Sequence, residues 1–241
     1  MKTRAFLFAI AIIASVANVR AQSIWTSADV KYKITKQLGV FVEGEYRTND
    51  GISATHRWDV ATGLSYNIIK PLKLSASYLY IQQRVGTSTT KKGNIVPAYW
   101  QPKHRFVADI SYSYDWNRFS FSLRERYQYT YRVGQSVPKF DDDGVTPKDD
   151  EIISSLSKHV LRSRIGVEYS IRGTNFKPFA TCEFYNGLSN GFKHDKTRYT
   201  VGSEYKINRH NAVELFYRYI DSKDDDDEMG HVIGLGYTFK F

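Results

Sequence analysis

The stretch Phe119–Arg132, FSFSLRERYQYTYR, constrains this chain more than any other feature. Phe119, Phe121, Leu123, Tyr127, Tyr129 and Tyr131 share one parity, and Arg124, Arg126, Gln128 and Arg132 share the other. Such a period of two gives a helix no coherent apolar face, whereas it gives a strand one greasy and one polar side. The alternation recurs. Leu38, Val40, Val42 and Tyr46 oppose Glu43, Glu45 and Arg47. Trp58, Val60, Leu64, Tyr66 and Ile68 oppose Arg57, Asp59, Ser65 and Asn67. Phe106, Ala108, Ile110, Tyr112 and Tyr114 oppose Arg105, Asp109, Ser111 and Ser113. Eleven segments of this kind lie near 24–34, 38–48, 56–68, 72–84, 103–115, 118–133, 157–171, 176–187, 196–207, 212–222 and 231–241. None has a helical period, so the mature chain reads as one all-β domain.

The connections also alternate. Short ones (35–37, 69–71, 116–117, 172–175, 208–211) interleave with long polar ones (49–55, 85–102, 134–156, 188–195, 223–230). One end of the sheet therefore carries tight turns and the other carries excursions. With strands of ten or more residues, that asymmetry describes a single transmembrane antiparallel up-and-down β-barrel, with short periplasmic turns and long outer loops. An exported soluble barrel would also alternate, but with its apolar face inward. Charges along the polar face, the loop asymmetry and the ending YTFKF favour the membrane form. In that ending Tyr237, Phe239 and Phe241 share a face with Ile233 and Leu235, as an assembly signal for the barrel assembly machinery would. A mean hydropathy of −0.46 does not count against this, because alternating residues cancel in an average. Eleven strands is an odd number, so ten or twelve is the safer expectation, with segment 24–34 not joining or a long loop hiding a strand.

The first 21 residues read as a signal peptide. Lys2 and Arg4 precede an apolar run to about Ala17, and Val19-Arg20-Ala21 offers a cleavage site after Ala21, leaving 22–241 as the barrel domain. Removing Lys2, Arg4 and Arg20 lowers the formal charge from +9 to +6. The single cysteine, Cys182, forms no internal disulfide. No later stretch is apolar for long enough to make a transmembrane helix. The expected location is the outer membrane, among outer-membrane lipid and lipopolysaccharide.

On this geometry the polar parity lines the lumen. Its bases are Arg47, Arg57, Arg105, Arg124, Arg126, Arg162, Arg164, Arg198 and Arg218. Its acids are Glu43, Glu45, Asp59, Asp109, Glu168, Glu183, Glu204 and Glu214, so the signs nearly balance. A barrel of this size is narrow inside, so these groups lie within pairing reach, and the guanidinium fork suits a carboxylate. Two outcomes remain open. The interior is either cross-linked and closed, or a charge-lined channel for small polar or anionic solutes running past Arg124/Arg126 and Arg162/Arg164.

His56, His104, His159 and His231 each begin a strand that returns from a long loop, on the lipid-facing parity, which sets them at the outer interface. The alternative is an outer-leaflet lipid-modifying enzyme of the lipid A acylhydrolase or acyltransferase type. It needs a nucleophile, a base and an orienting group within bonding reach. Ser163 shares the outward face near His159, but no third member is evident, so no catalytic residue is assigned. Glu125 faces lipid by parity without an obvious reason. The acidic runs at 141–144, 149–151 and 224–228 match no calcium-loop spacing, and no metal or other cofactor is expected. The basic residues form no single patch of the kind that binds nucleic acid.

Taken together, Trp25 close behind the signal segment, the paired arginines in LRERYQY and LRSRIGVEY, HRWD and KHRF after loops, and the ending GLGYTFKF resemble the small outer-membrane barrels grouped as domain-of-unknown-function 2490. The resemblance implies the fold and the location, and brings no activity or catalytic residue. Oligomeric state is left open.

Overall fold

The computed structural model describes residues 23–49, 54–189, 191–222 and 230–241. The expected signal segment, the tip at 50–53 and the acidic run at 224–228 lie outside them. In chain order the strands are β1 (Ser23–Lys33), β2 (Leu38–Asn49), β3 (Ala54–Ile69), β4 (Leu72–Val85), β5 (Ser88–Thr89), β6 (Ile95–Val96), β7 (Tyr99–Trp116), β8 (Phe119–Arg132), β9 (Gln135–Phe140), β10 (Pro147–Ile153), β11 (Leu156–Tyr169), β12 (Phe176–Gly187), β13 (Lys193–Lys206), β14 (Asn211–Ser222) and β15 (Gly230–Lys240). Eleven of them close a barrel in the order β1-β15-β14-β13-β12-β11-β8-β7-β4-β3-β2. Each pairs antiparallel with its neighbours except at the seam, where β1 and β15 run parallel from Ser23↔Val232 to Lys31↔Lys240.

That seam resolves the odd count. An up-and-down chain of eleven strands starts and finishes in the same direction, so its first and last strands can close only in parallel. Segment 24–34 does join, and the barrel needs no twelfth strand. Both ends of the seam are fastened. At the long-loop end the Trp25 ring packs across the seam on Val232, and its Nε1 donates at 2.9 Å to Ser23 Oγ, which donates in turn to the Thr48 carbonyl of β2. At the short-turn end the Phe241 amide donates to the Lys31 carbonyl at 2.9 Å, and the Phe241 ring meets Tyr32 and Phe239 at 6.1 and 4.6 Å.

The apolar parity faces outward. Val42, Val60, Leu64, Phe106, Ile110, Leu123, Ile165, Tyr199 and Leu235 are all exposed on the isolated barrel, while Arg57, Asp59, Asp109, Glu183 and Arg198 are buried within it. A soluble domain would reverse this arrangement. Rings cluster around the short-turn end, as in Trp116–Phe119, Phe119–Tyr169 and Phe176–Tyr205. Tyrosines and histidines gather at the loop end. An aliphatic band between two aromatic belts matches a bilayer with its two interfaces.

Glu125 does face outward, near the middle of β8, and its cross-strand partner Ser163 donates to it at 2.7 Å. The long connections 85–102 and 134–156, expected as polar loops, carry structure of their own. Their strands form a four-stranded sheet in the order β10-β9-β6-β5, and Val96 and Val137 are buried. Strands of two to seven residues are too short for alternation to stand out, which is why the sequence shows only polarity there.

The acidic run at the β9–β10 turn serves that turn. Asp143 accepts from the Val145 and Thr146 amides, both at 2.8 Å, and from Thr146 Oγ1 at 2.5 Å, while Asp141 pairs with Lys148 at 2.8 Å. Hydrogen bonds from Thr146 and Val145 hold the Asp143 carboxyl down to about 2 from its ordinary 3.8. A depressed folded value means that the turn gains from the ionised carboxylate above about 4, and that the gain disappears as pH falls through 2. In a pH titration followed by NMR, the Val145 and Thr146 amide shifts are expected to move with a midpoint near 2. A midpoint near an ordinary Asp, about 4, would refute this account of the turn.

Candidate functional site: the barrel lumen

All seventeen charged residues expected on the polar parity face the lumen, because strand alternation carries each one there. They divide along the axis. Glu168, Glu204 and Glu214 sit near the short turns, and the first two lie beside Lys177 and Lys206. Toward the loop end is a cavity of about 430 Å³. Thirteen lysines and arginines line it against five carboxylates, because Lys103, Arg132, Lys158 and Lys196 join the expected arginines. The near balance expected for the lumen as a whole therefore does not hold within the cavity, which is strongly electropositive.

Four of the lumen carboxylates are held by guanidinium partners. Asp109 accepts from Arg126, through Nε and through Nη2 at 3.1 Å, and from Ser75 at 3.0 Å. Glu183 accepts from Arg124, from Arg162 at 2.9 Å and from the Tyr185 hydroxyl at 3.0 Å. Asp59 pairs with Arg57 at 2.6 Å, and Glu45 with Arg47 at 2.5 Å. In a narrow interior this pairing is what makes buried charge tolerable.

The bases are in excess. Among the described residues Arg105, Arg164, Arg198 and Arg218 form no ion pair. Arg105 and Arg218 donate from Nε to the hydroxyls of Thr130 and Thr200, at 3.0 and 2.9 Å. Others lie on aromatic faces. Arg47, Arg218 and Arg198 stand 3.6, 4.8 and 5.2 Å from the Trp25 ring centroid, and Arg162, Lys196 and Arg198 stand 4.5–4.8 Å from that of Tyr185. A ring face holds a cation in place without neutralising it. The Nε atoms of Arg164 and Arg198 are buried without a hydrogen-bond partner.

Trp25 is the centre of this arrangement. It is 2 % exposed and packs inside the barrel on Ile220, Val232 and Phe216. Sequence reasoning marked it only by its position near the chain start, and missed Tyr185 altogether. Parity could have placed both, since Trp25 alternates with Ser23 and Ser27 and Tyr185 follows Glu183 at a spacing of two. Three phenylalanines also point inward, Phe41, Phe179 and Phe216. Each lies on a glycine directly across the strand pair, namely Gly63, Gly202 and Gly234.

The four expected interfacial histidines do not behave alike. His104, His159 and His231 lie on the outer surface against tyrosines. His56 accompanies a bulge between Arg47 and Thr48, bonds Asn49 at 2.9 Å and lines the cavity mouth, so its lipid-facing parity is corrected. His194, which was placed in a loop, follows the remaining long excursion and bonds Asn186 and Thr197. Ser163 donates to Glu125, and His159 Nδ1 pairs with Tyr127, so this serine and histidine have separate partners.

The family model described as "Protein of unknown function (DUF2490)" matches residues 22–229, and the chain belongs to that family. No curated protein matches it at significant similarity. Among solved structures the NanC porin shares the fold, with a TM-score of 0.51 and 14% identity over 92% of this chain and 96% of the porin. The beta domain of the Bordetella autotransporter BrkA does so with a TM-score of 0.55 and 11% identity, over 85% and 82% of the two chains. The chain thus shares the closed β-barrel fold of these structures.

Gly234 offers a direct check on how the lumen is packed. A Cβ there would sit 1.9 Å from the Phe216 ring, whereas one on Gly44 meets nothing within 4 Å. Gly234→Ala is expected to displace Phe216 from Arg218 and the Trp25 cluster, costing about 1–3 kcal/mol. It should lower the temperature at which the folded band is lost on gels, and Gly44→Ala should not. Equal behaviour of the two variants would contradict this packing.

Proposed function

We propose that this chain is an integral outer-membrane barrel, not an enzyme, whose lumen is a narrow passage preferring small anions. The observation that carries the reading is the surplus of fixed positive charge around the cavity, with four arginines that form no ion pair among the described residues. Cation-lined constrictions favour anions because a low-dielectric wall focuses the field along the path. A cavity of about 430 Å³ suits a small solute bearing carboxylate or phosphate. The outward apolar band, the two aromatic belts and the basic-then-apolar start of the sequence support the membrane location. The likeness to a porin contributes only that this fold can enclose a solute path. The C-terminal Tyr237, Phe239 and Phe241, which close the seam, are proposed also to present the last strand to the assembly machinery.

Planar-bilayer recording tests the passage. The refolded barrel should conduct with chloride favoured over potassium. Arg198→Glu combined with Arg218→Glu should reduce that preference several-fold or reverse it, because it replaces two of the positive charges beside Trp25. Trp25→Ala should raise conductance by removing the largest ring in the lumen. A silent bilayer with both wild type and Trp25→Ala, or a cation preference, would defeat the proposal.

A further inference from the structure

The loop end of the barrel repeats one surface arrangement three times. His104 of β7 stands directly across from Tyr80, His159 of β11 from Tyr129, and His231 of β15 from Tyr219. Each imidazole packs on that tyrosine, with ring centroids 5.6, 4.9 and 5.3 Å apart. The tyrosine two residues earlier on the same strand bonds Nδ1: Tyr78 at 2.7 Å, Tyr127 at 2.7 Å and Tyr217 at 2.5 Å. One histidine is thus clasped between two tyrosines at three of the five long excursions. The underlying pattern is Y-x-Y on the strand entering the excursion and His near the start of the strand leaving it.

The clasp decides what the ring offers. With the tyrosine hydroxyl donating to Nδ1, the neutral ring carries its proton on Nε2. A hydroxyl can equally accept, so the clasp also survives when both nitrogens are protonated. In these two states Nε2–H is a donor, whereas a neutral ring donating from Nδ1 would leave Nε2 accepting. An anion selects the first two, and Nε2 has no partner among the described residues. The other two histidines in equivalent places differ. His56 faces the cavity, and both ring nitrogens of His194 are engaged.

Depth fixes what that donor meets. Twelve residues of β7 follow His104, ten of β11 follow His159 and nine of β15 follow His231. At about 3.3 Å per residue and a tilt near 40°, these lengths span roughly 23–30 Å above the short turns, about one hydrocarbon thickness. An unpartnered N–H donor on the outer surface at that height borders lipid headgroups. We propose that the three Tyr–His–Tyr clasps are binding sites for the phosphate groups of outer-leaflet lipid, an assignment that rests on the outer-membrane reading. The flanking charges grade the sites. Arg84, outward on β4 above Tyr80, adds a cation to the His104 clasp, whereas Asp221, outward on β14 above Tyr219, opposes an anion at His231.

The test uses the full mature chain, refolded in a maltoside detergent that contains no phosphate. Native mass spectrometry would count bound bisphosphorylated lipid A and, separately, its dephosphorylated form. Wild type should retain up to three phosphorylated molecules, and binding should weaken about tenfold in the combined His104→Phe, His159→Phe, His231→Phe variant. His104→Phe alone should cost more than His231→Phe. The combined Tyr78→Phe, Tyr127→Phe, Tyr217→Phe variant keeps all three histidines but unlocks their rings, so it should fall between these and serves if the triple histidine variant does not fold. Unchanged lipid A binding in a folded variant, or equal binding of the two lipid forms by wild type, would overturn the inference while leaving the barrel reading intact. A wild-type chain that yields no heat-modifiable barrel would overturn both.

Discussion

The constraint on which everything else depends is backbone pairing. In hydrocarbon no water is present to satisfy an unpaired amide or carbonyl, so a sheet of strands must close on itself. Closure of eleven strands forces the parallel β1–β15 seam, because the first and last strands point the same way. Parallel pairing is slightly weaker per residue than antiparallel pairing. The seam compensates with side chains at its two ends, Trp25 on Val232 above and Phe241 with Tyr32 below. The aromatic ending of the sequence thus has a structural duty in the finished barrel: its last amide and its last ring hold the closing strand.

Once the sheet is closed with its apolar face outward, the polar face has no choice but to crowd a narrow interior. Charge there is tolerable only if compensated, and the structure compensates it in two ways. Glu45, Asp59, Asp109 and Glu183 each gather one or more guanidiniums, as Glu183 does with Arg124 and Arg162. The surplus arginines turn their flat faces to Trp25 and Tyr185. These two solutions have different consequences. An ion pair cancels field, whereas a cation on a ring keeps it. Because Glu168, Glu204 and Glu214 lie toward the short turns, the acids left in the loop-end cavity are too few for its bases, and the uncompensated field is concentrated there. A nearly neutral lumen can therefore still present a positive entrance from the loop side.

Much of this was legible in the sequence, since a period of two needs only residue identity. The strand positions followed from it to within a few residues, as did the lumen parity and the outward parity of Glu125. Three things were not legible. The partner of Glu125 is Ser163, and register between β8 and β11 cannot be read from either strand alone. His56 changed face because a one-residue bulge reverses parity, and a bulge leaves no compositional mark. The electropositive cavity was hidden by counting charge over the whole lumen, when what matters is where along each strand a residue falls. Trp25 escaped notice for a related reason: apolar residues were assigned outward as a class, yet it occupies the polar parity of β1 and turns in.

Trp25 also ties the two halves of the molecule together. Its ring packs across the seam on Val232, its indole nitrogen donates to Ser23, whose hydroxyl ties β1 to Thr48 of β2, and its face supports Arg47, Arg198 and Arg218 in the lumen. Strand closure and lumen electrostatics therefore share one side chain on a strand of the parallel seam. Any loosening of β1 at the loop end would draw that ring from between the arginines, and three guanidiniums would lose their common support together. Their mutual repulsion, which the ring does not cancel, would then act on guanidiniums no longer fixed in place. The spacing of these guanidiniums in the lumen is thus tied to a ring that also packs across the seam.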